Sequence, residues 1–158
     1  TGSEQRGIAA ARTDLFEGSV CIVTKTTQTN RQALQQIRRF WKSLVRQVVV
    51  MEPERHDRLL AAVSHLPHLL AFCLVEATNH GALALAPRSF LDVTRVAKSD
   101  PDLWDDILLS NRQAVLAAMD RFDRRWKRLR RLLEQRHART LYQFLQHAQD
   151  IRQAIPDR

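Results

Sequence analysis

Two groups of residues in this chain have types and spacings that could do chemistry. The first is Ser64-His65-Leu66-Pro67-His68, set inside the apolar run LLAAVSHLPHLLAFCLV. An imidazole can take or give a proton near neutral pH, and a hydroxyl can donate or accept a hydrogen bond. Ser64 and His68 stand four residues apart, hence on one helical face, where they can form the wall of a polar pocket. The other reading is a histidine satisfied by a main-chain carbonyl where Pro67 kinks the helix, and the residues alone leave both open. His65 points elsewhere and is read as structural. The second group lies in FLDVTRVAKSDPDLW, which places Asp92, Thr94, Arg95 and Lys98 between apolar residues. The planar fork of Arg95 suits a carboxylate, either that of Asp92 three residues back or that of a ligand. His56 and Asp57, just upstream, read as a capping arrangement.

Other chemistries lack their residues. His65 and His68 are separated by Pro67 with no suitably placed carboxylate, so no metal site is expected. Ser64 falls mid-helix rather than on the strained GxSxG turn that exposes a serine nucleophile. Neither GxGxxG nor GxxxxGK[ST] occurs, which argues against nucleotide binding by this chain alone.

The elements that must position these residues are mostly helical. Leu59, Leu60, Val63, Leu66, Leu69, Leu70, Phe72 and Leu74 recur at helical spacing, which predicts a core helix from about Glu54 to Asn79. Pro67 inside it removes a backbone donor and clashes with the Val63 carbonyl, at a cost of about 3 kcal/mol. Upstream, Ser19 to Thr24 reads as a strand, Thr29 or Asn30 as the cap of a helix with Ala33, Leu34, Ile37, Phe40, Trp41 and Leu44 on its apolar face, and Gln47 to Met51 as a second strand. Such a β-α-β unit implies parallel strands, and parallel sheets are normally extended by further strands. None follows Pro53, so the chain reads as the carboxy-terminal part of a larger protein. After a loop with Gly81, Pro87 and Ser89 comes a short segment, Phe90 to Lys98. Pro101, capped by Asp100 or Ser99, then starts one long helix through Trp104, Ile107, Leu108, Val115 and Met119 into a basic stretch. A last helix is expected over about Ala138 to Ala154.

Composition agrees. Of 158 residues 44% are hydrophobic and 27% charged, with only four glycines and five prolines, which favours a helical globular chain over a turn-rich β fold. No uninterrupted apolar stretch of about 20 residues and no signal-peptide pattern is seen, so a soluble protein without a membrane partner is expected. Cys21 and Cys73 form no CxxC motif, which fits a cytoplasmic location. The net charge of +8 is concentrated between Arg121 and Arg139, where nine Lys or Arg face only Asp123 and Glu134. Met119, Phe122, Trp126, Leu129 and Leu133 run through that segment at three- and four-residue spacing, making the cations the solvated back of an amphipathic helix. A basic helical module that binds nucleic acid is the alternative. The short helices of a DNA-reading motif are not visible and aromatics suited to base stacking are few, so nucleic acid is not the expected partner.

TGSEQRG, DLFEG, CIVT, HDRLLAAVSHLPHLLAF and FLDVTRVAKSDPDLWDDILLSNR, in this order and spacing, resemble the prephenate dehydrogenase family of tyrosine biosynthesis, the group that acts on prephenate or arogenate. The resemblance covers roughly Thr1 to Phe122. It implies a mainly α fold, in which a helical substrate-binding and dimerisation domain, 53–158, follows the strand-helix-strand end of a Rossmann-type nucleotide-binding domain, 1–52. It also implies a homodimeric oxidoreductase of aromatic amino acid biosynthesis, using NAD or NADP bound mainly by the amino-terminal domain. The implied reaction is oxidative decarboxylation, in which hydride leaves the ring carbon that bears the hydroxyl and the ring carboxylate departs as carbon dioxide. By the same resemblance Arg95 binds a substrate carboxylate, Ser64 and His68 line the pocket, Ser3 and Glu4 follow the catalytic histidine, and Trp104 lies near the pocket and the subunit boundary. That histidine belongs to an HPxxG motif whose glycine is Gly2, so it would lie upstream of Thr1, and the chain by itself is expected to be inactive. Pro87-Arg88-Ser89 replaces a glycine-rich run of the family and alters one pocket edge, where Arg88 could add a cation. A non-catalytic remnant that dimerises or senses tyrosine is a further alternative.

Overall fold

A computed structural model describes residues 13–156. Ser3 and Glu4, expected beside the pocket, therefore lie outside the described residues. Two strands, β1 (Val20–Thr24) and β2 (Gln47–Met51), pair in parallel with Val20 opposite Gln47 and Thr24 opposite Met51. They are joined by α1 (Arg31–Lys42), the β-α-β arrangement expected from the sequence. Asn30 rather than Thr29 caps α1. Its Oδ1 accepts the main-chain N–H groups of Gln32 and Ala33 at 2.8 and 3.1 Å, while the Thr29 hydroxyl closes the preceding turn by accepting from the N–H of Thr26 at 2.8 Å.

Helix α2 (Pro53–Leu60) runs into a π turn (Ala61–His65) and then α3 (Leu66–Glu76). The π turn is how the chain accommodates Pro67. The N–H of Leu66 reaches back to the carbonyl of Ala61, and this wider turn leaves Pro67 in the first turn of a new helix, where a missing N–H costs nothing. The expected kink is thus a local change of winding, with helical torsions at Leu60, His65 and Leu66. His56 and Asp57 are not a cap, in contrast to the sequence reading. Glu52 holds the N-cap position, and the His56 Nδ1 pairs instead with the Asp57 carboxylate at 2.9 Å.

Two short helices follow, α4 (His80–Leu83) and α5 (Arg88–Thr94), the second continuing as a 3-10 turn (Arg95–Lys98). Both α5 and this turn pack on α3. Helix α6 (Pro101–Ser110) starts as expected, with the Asp100 carboxylate accepting from Asp102 and Leu103. It does not run on into the basic stretch. The helix ends at Asn111, whose backbone (φ −109°, ψ 27°) leaves the helical range, and α7 (Arg112–Glu134) begins anew. The reason is tertiary, because the Asn111 side chain is drawn into bonds with residues of α2 and the π turn.

The chain forms two compact units, 1–115 and 116–158. The first buries Met51, Ala61, His65, Ala71, Thr94, Ser99, Trp104 and Val115. The second pairs the rest of α7 with α8 (Ala138–Gln153), and among its described residues Ala118 and Leu132 are buried. The continuous helix Pro53–Glu76 has a mean hydropathy of 1.6 over its most apolar window, 17% buried, and is the one described helix long and apolar enough to cross a membrane by length and composition. No uninterrupted apolar run marks it in the sequence because polar residues break it. Of these, His56, His65 and His68 have partners within this unit, while Leu59, Val63 and Leu74 are exposed, so the helix is only partly covered and not the fully buried core helix expected from the sequence. With the two-stranded parallel sheet, the fold is mainly α with a β-α-β unit at its start.

Candidate functional site

The polar insertion in the core helix becomes an ordered cluster. His68 directs Nδ1 to the main-chain carbonyl of Ser64 at 2.8 Å, one turn back. A carbonyl only accepts, so Nδ1 carries the proton and Nε2 is left with its lone pair when the ring is neutral. The face of His68 lies against Trp104 of α6, with ring centroids 3.6 Å apart and planes inclined by 21°. The two readings of this histidine are therefore not exclusive. One nitrogen is satisfied by a carbonyl, and the other is available. The link to Ser64 runs through its backbone, not its hydroxyl.

His65 meets the same tryptophan edge to face, with centroids 6.1 Å apart and planes at 83°. It is buried, at 7% exposure. Asn111 approaches it through Nδ2, which donates to the Asp57 main-chain carbonyl at 2.9 Å and lies 3.3 Å from His65 Nδ1. The Asp57 carbonyl fixes the amide orientation, so His65 Nδ1 must be the acceptor and the ring neutral with its proton on Nε2. Burial lowers the pKa of His65 below the usual histidine value, helped by repulsion from His56 and His68, and Asp57 opposes the shift. Asn111 and Asp57 escaped the site reading because nothing in their spacing marks them. A lone asparagine inside a predicted helix was the available signal, since asparagine disfavours helix interiors.

Arg95 is exposed and stands on the 3-10 turn that packs on α3, the helix that carries His68. Thr94, immediately before it, is buried and donates its hydroxyl to the Phe90 carbonyl at 2.7 Å, which fixes the start of the turn. Asp92 lies 3.8 Å from Arg88 along α5. The Arg88 side chain is 92% exposed, and Pro87 occupies the N-cap position of α5 without a side-chain bond. Ser64, His68 and Trp104 thus form one layer, and Arg95 sits on a turn packed against the same helix. Such a layer can stack a flat ring and orient a hydroxyl, and a guanidinium beside it can neutralise a carboxylate. Among the described residues no group of His, Cys, Asp or Glu could hold a metal ion.

Residues 52–147 match the family model described as prephenate dehydrogenase, dimerization domain. The chain belongs to the prephenate dehydrogenase family. Residues 1–50 match that family's nucleotide-binding domain. Over 98% of its length the chain is 36% identical to prephenate dehydrogenase of Bacillus subtilis, covering 43% of that protein, and 32% identical to cyclohexadienyl dehydrogenase of Zymomonas mobilis, covering 55%. It therefore spans about half the length of these relatives. Among solved structures, prephenate dehydrogenase of Aquifex aeolicus in complex with hydroxyphenyl propionate and NAD+ superposes with a TM-score of 0.89 at 33% identity, covering 98% of this chain and 56% of that one. Arogenate dehydrogenase of Synechocystis superposes at 0.83 with 25% identity, covering 97% and 58%.

Proposed function

We propose that this chain is the substrate-binding and dimerisation part of an enzyme that carries out NAD- or NADP-dependent oxidative decarboxylation of prephenate or arogenate in tyrosine biosynthesis. Residues 1–52 would be the end of its nucleotide-binding domain and 53–158 its helical domain. The observation that carries the reading is the His68–Trp104 stack on the helix that also seats the turn of Arg95, within a chain of this family. Arg95 would bind a substrate carboxylate as a charge-assisted pair. His68, with Nδ1 committed to Ser64, would present Nε2 to the substrate, and Ser64 and Trp104 would complete that wall. Ser3 and Glu4 are proposed for the same pocket, and no catalytic histidine is assigned within this chain.

The turn between β1 and α1 does not fit a dinucleotide. It has no glycine between Lys25 and Asn30, and Asn30 already takes the amide donors a pyrophosphate would need. The cofactor is therefore proposed to be held mainly by the amino-terminal domain and not by this turn, and no step is derived through it. Association of two copies is supported by the dimerization-domain match and by exposed apolar residues such as Val63 and Leu74 on the long helix. A cytoplasmic site is proposed in keeping with the free thiols of Cys21 and Cys73.

The test is Arg95→Ala in the full-length gene product. The KM for prephenate or arogenate is expected to rise about ten- to a hundredfold, the value of one charge-assisted pair, with the KM for NAD or NADP unchanged. An unchanged substrate KM removes Arg95 from the site. Absence of turnover by the wild-type protein with either substrate and either cofactor would favour a non-catalytic dimerising or regulatory remnant.

A further inference from the structure

Trp104 is held on two sides by two histidines that sit three residues apart in the sequence, and the two contacts differ in kind. His68 lies flat on it at 3.6 Å, whereas His65 meets it edge to face at 6.1 Å. Among the described residues His68 has a hydrogen bond only to its own helix, from Nδ1 to the Ser64 carbonyl, which sets how far the ring reaches but leaves its tilt to whatever lies against its face. That surface is Trp104. Trp104 also touches His65, which is buried and hydrogen-bonded to Asn111. Asn111 is itself anchored by its 2.9 Å bond to the Asp57 carbonyl, and it sits at the break between α6 and α7.

A purely apolar side chain at position 65 would fill the same space without needing a partner. An imidazole there costs desolvation unless its nitrogens are satisfied, and the helix gives up its continuity at Asn111 while that side chain satisfies one of them. We propose that Asn111 and His65 are positioning residues for the candidate substrate pocket: Asn111 fixes His65 in one tautomer, His65 sets Trp104, and Trp104 sets the plane of His68. The catalytic relevance of this brace rests on the function proposed above, but its geometry does not.

The experiment uses Asn111→Asp and Asn111→Ala in the full-length protein, with the ring nitrogens of His65 and His68 followed by imidazole 15N NMR and steady-state kinetics run in parallel. Asn111→Asp keeps the volume and replaces the donor by an acceptor. It is expected to move the His65 proton from Nε2 to Nδ1 and to shift the His68 ring signals. In both variants the substrate KM is expected to rise on the order of tenfold, as for a misplaced binding group, with kcat changed less than twofold. If Asn111→Ala does not fold, Asn111→Asp decides alone. A wild-type His65 protonated on Nδ1, or His68 signals unmoved in folded Asn111→Asp, overturns the proposal, as does an unchanged KM in an active enzyme. If the wild type turns over neither substrate, the functional reading falls and the ring signals alone decide the brace.

Discussion

The segment from α2 to α3 and the α7–α8 pair treat polar and apolar groups in opposite ways. In the first, two histidines of a mostly apolar helix are held by Asn111, Trp104 and a backbone carbonyl. In the second, a strongly basic helix turns its charges to solvent and pairs two of them along its own surface, Lys127 with Asp123 at 2.7 Å and Arg130 with Glu134 at 2.9 Å. Its apolar stripe is left open. Trp126 and Leu133 are each more than half exposed and, with Leu129 and Arg130, line a shallow groove on α7. A polar residue that breaks an apolar pattern thus points to a tertiary bond within the unit, whereas a clean amphipathic pattern says only that some apolar surface awaits cover.

The sharpest way to break this comparison is to remove one tryptophan from each region. Trp104 is 8% exposed and touches both histidines, so Trp104→Ala deletes buried surface and leaves a cavity. A loss of about 3–5 kcal/mol in urea unfolding is expected. Trp126 is 57% exposed and stacks on Phe122, with centroids 6.0 Å apart. Trp126→Ala should cost less than about 1 kcal/mol. Equal losses would mean that the α7 stripe is covered in solution.

Much of the first region was legible in the sequence. The β-α-β unit, the capped starts of α1 and α6 to within one residue, and the helical winding of Pro53–Glu76, though not its burial, follow from periodicity and capping residues, which are local signals. Ser64, His68 and Arg95 stood out because their types contradict their surroundings. The break at Asn111 and the contact of His65 with Trp104 were not legible, because each is decided by a residue distant in sequence; the π turn was not, because Pro67 signals a disturbance of the helix but not the form it takes. Asn111 and Asp57 are separated by 54 positions, and no spacing rule connects them. The amphipathic reading of α7 was correct as a pattern, but it omitted Leu132, the stripe residue that is buried.

A pH titration sharpens the contrast further. Burial lowers the pKa of His65 in the folded state, so below the usual histidine value of about 6.5 the unfolded chain binds the proton more readily than the folded one. The stabilising contribution of neutral His65 is therefore complete above that value and is lost as pH falls toward the lowered folded-state pKa. Thermal unfolding midpoints should drop as pH falls below about 6.5, and His65→Gln, which cannot titrate, should reduce the drop. An identical pH profile in the variant would show that His65 is not the group responsible.

The smallest expected effect belongs to the second region and has the opposite sign. Helix α7 ends with Arg136 at φ 51°, a left-handed backbone conformation that a β-carbon disfavours and glycine adopts freely. The conformation is held by two bonds, from the Arg136 N–H to the Leu133 carbonyl and from the His137 N–H to the Leu132 carbonyl, each 3.1 Å. Arg136→Gly keeps both bonds and removes the strain, but it also loosens the unfolded chain, so the two effects partly offset. A net gain of up to about 1 kcal/mol in unfolding free energy is expected, with no change in substrate KM. A loss of stability would mean that the Arg136 side chain contributes more to the α7–α8 connection than its backbone strain costs.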